Sequence, residues 1–396
     1  MRENQPPEVP ASDASEPMTF AVDTTQGSWL HRIVDSRHPS TLRLYITAVL
    51  LTYVPLLVTA WLGPAALLKK SFEIAVPFLR DWNTAVISFI SFPTLVIFTF
   101  RDQAILTAAL RRVQLDGVLT VRPATADHLS MVWRKKFFFI NYTAYTVGAV
   151  SGLIVVYYNY AAYVLSDAGF WTTIHGKLQL CGYVFFTLVF ALFALIPIYS
   201  IRSFGISIFL RSLVKHSQQL QMLPFHPDRC GGLRPVGRLG LRNQYLLTVF
   251  GLNIGSLVAV SSYLRHQERL NGLIGAAVTF YVLLGPLIFM GPLLSFRSAM
   301  LKTKIELMSE IAQRLRVELK KLRQHLPSGP ILKEDEDLID RLRKVGAVVD
   351  ELPVWPFDAG TLRKFVTAYL MPLFGGLAGA FLKFYATRLP EYLKLH

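Results

Sequence analysis

The sequence predicts an all-α membrane protein: a polytopic transmembrane helical bundle of six to seven spans with a cytoplasmic helical hairpin. Three observations predict it. Hydrophobic residues make up 52% of the 396-residue chain and charged residues only 17%, against about 25% in soluble domains. The apolar residues gather into stretches near the length a bilayer requires. The loops between those stretches alternate between basic and nearly uncharged.

A bilayer core of about 30 Å takes roughly 20 residues of helix. Segments 41–63, 84–100, 137–160, 178–201, 244–263, 272–296 and 365–385 meet that need, the second by extending back through Trp82. The last contains Pro372, Gly375, Gly376 and Gly379 and reads either as a span or as a re-entrant helix. Loops 101–136, 202–243 and 297–364 hold 7, 7 and 14 Lys and Arg residues, whereas loops 64–83, 161–177 and 264–271 hold 3, 1 and 2. Basic loops mark the cytoplasmic side, so the N-terminus is expected inside. Trp61, Trp82, Trp133, Tyr160 and Trp171 near the span ends suit interfacial anchoring.

Four units follow. Residues 1–28 are expected to be a disordered tail, with Pro6, Pro7, Pro10 and Pro17 and one basic residue, Arg2, against five acidic ones; a signal peptide would show a basic start and an apolar core. Residues 29–296 form the six-span bundle. Residues 297–350 form the hairpin, and 351–396 hold a Trp-Pro-Phe-Asp loop and the final apolar segment. In the hairpin, Leu301, Ile305, Met308, Ala312, Leu315, Leu319, Leu322 and Leu326 make a heptad seam, and the Pro327 to Pro330 stretch breaks it. The acidic run from Glu334 to Asp337 suits the positive end of a second helix, which carries Leu338, Leu342, Val345 and Val349 on one face. Either the hairpin covers its own seam, or the first helix self-associates as a coiled-coil stalk.

Within the spans, Pro55, Pro93, Pro197, Pro286, Pro292 and Pro372 are kink positions. The pairs Gly148 and Gly152, Gly251 and Gly255, and Gly375 and Gly379 have the spacing that lets helices approach closely. The span cores hold no Asp or Glu, and basic residues such as Arg43 and Lys383 lie near the ends; Asn141, Asn159 and Asn253 are the strong polar groups. Ion-coupled carriers bury carboxylates. The pattern weighs against a proton-driven carrier and leaves open a pore lined by hydroxyls and carbonyls.

Two basic-side loops mix Pro, aromatic residues, Asp and Gly: 223–233 and 352–360. Their candidate functional residues are His226, Asp228, Cys230, Gly231, Gly232, Trp355 and Asp358. On an extended strand His226, Asp228 and Cys230 would share one face and offer N, O and S ligands to zinc, but no fourth ligand is evident. Alternatively Asp228 caps a turn and His226 bonds to backbone. No catalytic residue, metal or cofactor is assigned. Cys181 and Cys230 imply no disulfide framework, and neither a phosphate-binding Gly-x-x-x-x-Gly-Lys nor a His-Glu-x-x-His pattern occurs.

The run Phe225-His-Pro-Asp-x-x-Gly-Gly-Leu233, with Pro353-Val-Trp-Pro-Phe-Asp358 further on, resembles a family of uncharacterised bacterial integral-membrane proteins over roughly residues 130 to 390. The resemblance implies a bacterial inner membrane location and brings no activity with it. The expected partners are the lipid bilayer, further copies of the chain and a cytosolic protein of unknown identity. Nucleic acid is excluded, because the net charge of +15 sits between apolar stretches; Arg134, Lys135 and Lys136 abut a span and suit anionic headgroups. The functional expectation is an oligomeric gated pore or conduit. The alternative is a non-conducting sensor or scaffold that docks a cytosolic partner.

Overall fold

A computed structural model shows an all-α bundle, 83% helical. It describes residues 23–31, 40–63, 67, 74–165, 169–216, 219–220, 226–228, 230–261, 268–325, 333–357 and 360–370 apart from 361, 365 and 368. Helix α1 is Thr41–Leu62, started by Ser40, whose hydroxyl accepts the Arg43 N–H. Helix α2 runs Trp82–Leu115 and helix α3 Pro123–Tyr163, the latter with proline in its first turn. Helices α4, α5, α6 and α7 are Leu180–His216, Arg234–Ser261, Glu268–His325 and Lys333–Asp350. The first five are long and apolar enough to cross a membrane. The stretch 272–296 lies inside α6, while most of 365–385 falls outside the described residues.

The helices outlast their apolar stretches, by long extensions at one end of the bundle and by four residues or fewer at the other. The overruns are residues 101–115 of α2, 123–136 of α3, 202–216 of α4, 234–243 of α5 and 297–325 of α6. At that end a short antiparallel ladder pairs Leu119 with Leu220 and Thr120 with Gln219. At the opposite end Val76 bridges Phe170, beside a two-strand turn, Thr173–Ile174 on Lys177–Leu178. The basic loops therefore share one end and the sparsely charged ones the other.

Two cores result. One lies among the apolar stretches and contains Leu56, Leu95, Phe185, Leu192 and Leu246. Lipid is as apolar as Leu, so helix contact there depends on close fit. A Cβ on Gly148 would stand 2.6 Å from the Ala194 carbonyl, and one on Gly152 2.7 Å from the Phe190 ring. The two glycines let α3 and α4 lie against each other. The second core is built by the overruns and contains Leu106, Val113, Val118, Trp133, Phe137, Phe209, Leu233, Val236, Val349 and Leu352.

The hairpin belongs to this second core. Helix α7 lies against the far part of α6, with Leu307, Met308 and Ile311 turned inward beside Val349. Leu301, Ile305 and Leu319 of the heptad remain 40%, 58% and 46% exposed. The side of α6 that faces α7 is thus displaced by about one residue from the heptad seam.

Candidate functional site

Helix α2 carries a line of polar side chains on its inner face. Asp81, Thr84, Ser88, Ser91, Leu95, Thr99 and Asp102 follow one another in steps of three and four residues, which places them on one face, and all are buried. At 1.5 Å per residue the line is about 32 Å long, close to the hydrocarbon thickness of a bilayer.

One end is Asp81. Its carboxylate caps α2 by accepting the N–H groups of Asn83 and Thr84 at 3.0 and 3.2 Å, and it also accepts the Trp171 indole N–H at 3.0 Å. Ser256 of α5 donates to the Asn83 side chain at 2.9 Å.

The middle is unusual. Helical Ser and Thr hydroxyls ordinarily donate to the carbonyl one turn back, as Thr52, Thr59, Ser200 and Ser207 do here. Ser88, Ser91 and Thr99 are at most 1% exposed, and their hydroxyls have no partner among the described residues. Residues Ile87–Ser91, which include Ser88 and Ser91, form a π turn, a rare departure from α winding that is frequent at functional sites. Pro93 follows and leaves the Phe89 carbonyl without its helical donor; the Tyr45 hydroxyl of α1 supplies one at 2.9 Å. Leu95 is the apolar member of the line, and buried Ile87 flanks it between Thr84 and Ser91.

The other end is an ion-pair cluster where the two cores meet. Arg202 of α4 donates through Nε and Nη2 to both Asp102 oxygens at 2.8–3.1 Å, and through Nη1 to Asn141 Oδ1 of α3 at 3.0 Å. The Asn141 amide donates to the carbonyls of Thr24 and Gln26 at 3.0 and 2.7 Å. His31 lies 3.5 Å from Asp102, bonds the Thr99 carbonyl at 2.8 Å, and meets Ser28, which reaches the Tyr145 hydroxyl. The segment 23–31 is thereby strapped across this end of the line. A cavity of about 30 Å³ adjoins the cluster, lined by Asp102, Tyr199, Ser203, Arg242 and Asn243 among others. The Arg242 guanidinium bonds the Phe98 carbonyl at 2.7 Å and lies over the Phe98 ring.

The residues singled out in the sequence lie elsewhere, on the second core. Asp228 organises its loop: its carboxylate accepts the N–H groups of Cys230, Gly232 and Arg234 at 2.8–3.1 Å, and the His226 ring nitrogen at 2.8 Å. Burial alone would raise the Asp228 carboxyl, but these donors outweigh it and hold it below the ordinary value of 3.8. Its oxygens are occupied, and the alternating His226, Asp228 and Cys230 do not form a metal cage: among the described residues no group of three His, Cys, Asp or Glu converges on an ion position. His226 also lies 3.9 Å from Asp116 at the end of α2. Gly231 and Gly232 have φ of 65° and 87°, and a Cβ on Gly232 would fall 2.3 Å from Val118. Cys230 is buried. In the second loop the Arg297 guanidinium lies 4.5 Å from the Trp355 ring centre, and the Pro356 carbonyl fills the space over Gly237. Asp358 lies outside the described residues. The two loops thus share one core, through Leu233 and Leu352.

The span cores hold no Asp or Glu, yet charge is buried immediately beyond them. Asp102 and Arg202 lie just beyond the apolar stretches ending at 100 and 201, where the sequence reading placed them in loops; the helices continue, and both residues are buried at 4% and 2% exposure. The signal available was the spacing of Ser88, Ser91, Thr99 and Asp102 by 3, 8 and 3 residues, which keeps them near one helix face and is hidden by the apolar residues between them. No protein-family model, curated protein or solved structure matches this chain.

Proposed function

We propose that the protein is a closed transmembrane conduit for a small polar species, with its path along the inner face of α2. One observation carries this reading: three fully buried hydroxyls without partners stand in line between two buried carboxylates. Each unpaired buried hydroxyl costs on the order of 1–3 kcal/mol. A bundle that served only as an anchor would lose that cost by carrying Ala at these positions; a path for water or a solute needs the hydroxyls. The strap of residues 23–31 and the Asp102–Arg202 pair close one end. In this reading the basic end faces the cytoplasm of a bacterium, because 28 of the Lys and Arg residues between spans lie there against 6 opposite.

The test is flux through purified protein in liposomes under voltage, osmotic tension and a pH gradient. The expected result is protein-dependent passage of water, protons or a small ion, lost in the Ser88→Ala, Ser91→Ala, Thr99→Val triple variant. Leak equal to that of protein-free liposomes under every condition would overturn the reading.

A second reading is a non-conducting scaffold. It is favoured by the apolar residues left exposed on the hairpin, Leu301, Ile305 and Leu319 on α6 with Leu338 and Val345 on α7. A second copy or a cytosolic partner would cover them. Truncation at residue 296 would reduce the oligomer in detergent under this reading; an unchanged oligomer would argue against the second copy.

A further inference from the structure

We infer that the species passed along α2 is the proton, carried by hydroxyls and water in single file, and that Leu95 is the gate that breaks the file in the closed state. This rests on the conduit reading and gives it a substrate class. The space is the first argument. The cavity beside Asp102 measures about 30 Å³, room on the order of one water and no hydrated ion. The ligands are the second. Asp102 is the one carboxylate on the lining of the cavity, and a metal cation would find too few oxygen ligands there to replace its water.

The chemistry of the file is the third argument. A hydroxyl both donates and accepts, so it can take a proton on a lone pair while releasing its own to the next acceptor. Each step forms one O–H bond and breaks another. Over the whole file one proton is taken from water at one end and released to water at the other, with no electron transferred and no other bond changed. Ser88 and Ser91 are one turn apart, as are Thr99 and Asp102. Between Ser91 and Thr99 the helix rises about 12 Å, which needs bridging water. Leu95 occupies the middle of that interval, fully buried in the core that also holds Leu56, Leu192 and Leu246. An apolar constriction of this kind stops conduction by excluding water.

The experiment replaces the gate. Leu95→Ser puts a hydroxyl into the gap, and Leu95→Ala opens a water-sized void without adding a polar group. Wild type and both variants are reconstituted in liposomes; proton flux is read with an entrapped pH dye, and potassium, sodium and chloride fluxes with ion-sensitive dyes. Proton flux is expected to rise at least about tenfold in Leu95→Ser, equivalent to about 1.4 kcal/mol off the barrier, and by less in Leu95→Ala, with ion fluxes unchanged. Adding Ser91→Ala and Thr99→Val to Leu95→Ser should cancel the gain. A matching rise in potassium or chloride flux would overturn the proton assignment and leave the conduit standing. A proton gain that survives Ser91→Ala and Thr99→Val would show that the route is not along this face. No gain of any flux in variants that keep wild-type helix content and elution volume would overturn the conduit itself.

Discussion

Asp102 and Arg202 illustrate how a charge is kept inside an apolar bundle. Each is costly to bury alone, and each is matched: two carboxylate oxygens meet two guanidinium nitrogens, and Asn141 takes a further N–H. Removing one partner leaves the other unpaired, so Arg202→Met or Asp102→Leu is expected to cost about 3–5 kcal/mol, and the double variant much less. Chemical unfolding in detergent measures the cycle. Asp228 makes a different case. Its folded carboxyl lies below the ordinary 3.8, so its contribution is complete above that value and is lost as pH falls through the lower folded value. Asp228→Ala is expected to cost about 0.5–2 kcal/mol, as a lost cap does, and to speed alkylation of the buried Cys230; an unchanged alkylation rate would contradict the role given to this carboxylate. Asp228 was legible in the sequence, because a Pro-Asp-x-x-Gly-Gly stretch has few conformations open to it. Asp102 was not, because a charge two residues past an apolar stretch looks the same whether the helix stops or continues.

At the scale of elements, the apolar stretches showed which helices meet lipid and left their ends undetermined. Apolar length reports the lipid-facing surface. The overruns are amphipathic and meet water on one side, so their Arg and Lys residues read as loop. The glycine pair on α3 was legible as a packing device. Gly148→Val places carbon within 2.6 Å of the Ala194 carbonyl and is expected to push α3 from α4; a fall in melting temperature of several degrees would report it, with Gly275→Val, a helical glycine whose Cβ would meet open space, as the control. The heptad seam of α6 gave the hairpin, but the periodicity does not say which side of a stripe meets the partner helix. Partial burial of Ile311 and exposure of Ile305 decide that.

The whole molecule divides at the Asp102 layer. On one side α2 turns its line of hydroxyls into the bundle, packed against α1, α4 and α5; on the other, the helix extensions, the two Pro- and Gly-bearing loops and the hairpin form a second core. The division explains why the described residues of the loops that stood out in the sequence lie away from the polar line: they close the outer core, while the line is built from Ser and Thr residues that look ordinary one at a time. The strap of residues 23–31 joins the two halves, and Asn141→Leu, which removes its two carbonyl contacts, is expected to raise proteolysis of the first 31 residues in intact protein. The central claim is that Ser88, Ser91 and Thr99 line a path for water. A density map of the protein in lipid, fine enough to show ordered water, tests it most directly. Water oxygens are expected about 2.7–3.0 Å from these three hydroxyls, in a file broken only at Leu95. Hydroxyls turned onto main-chain carbonyls, with dry packing between Asp81 and Asp102, would contradict it.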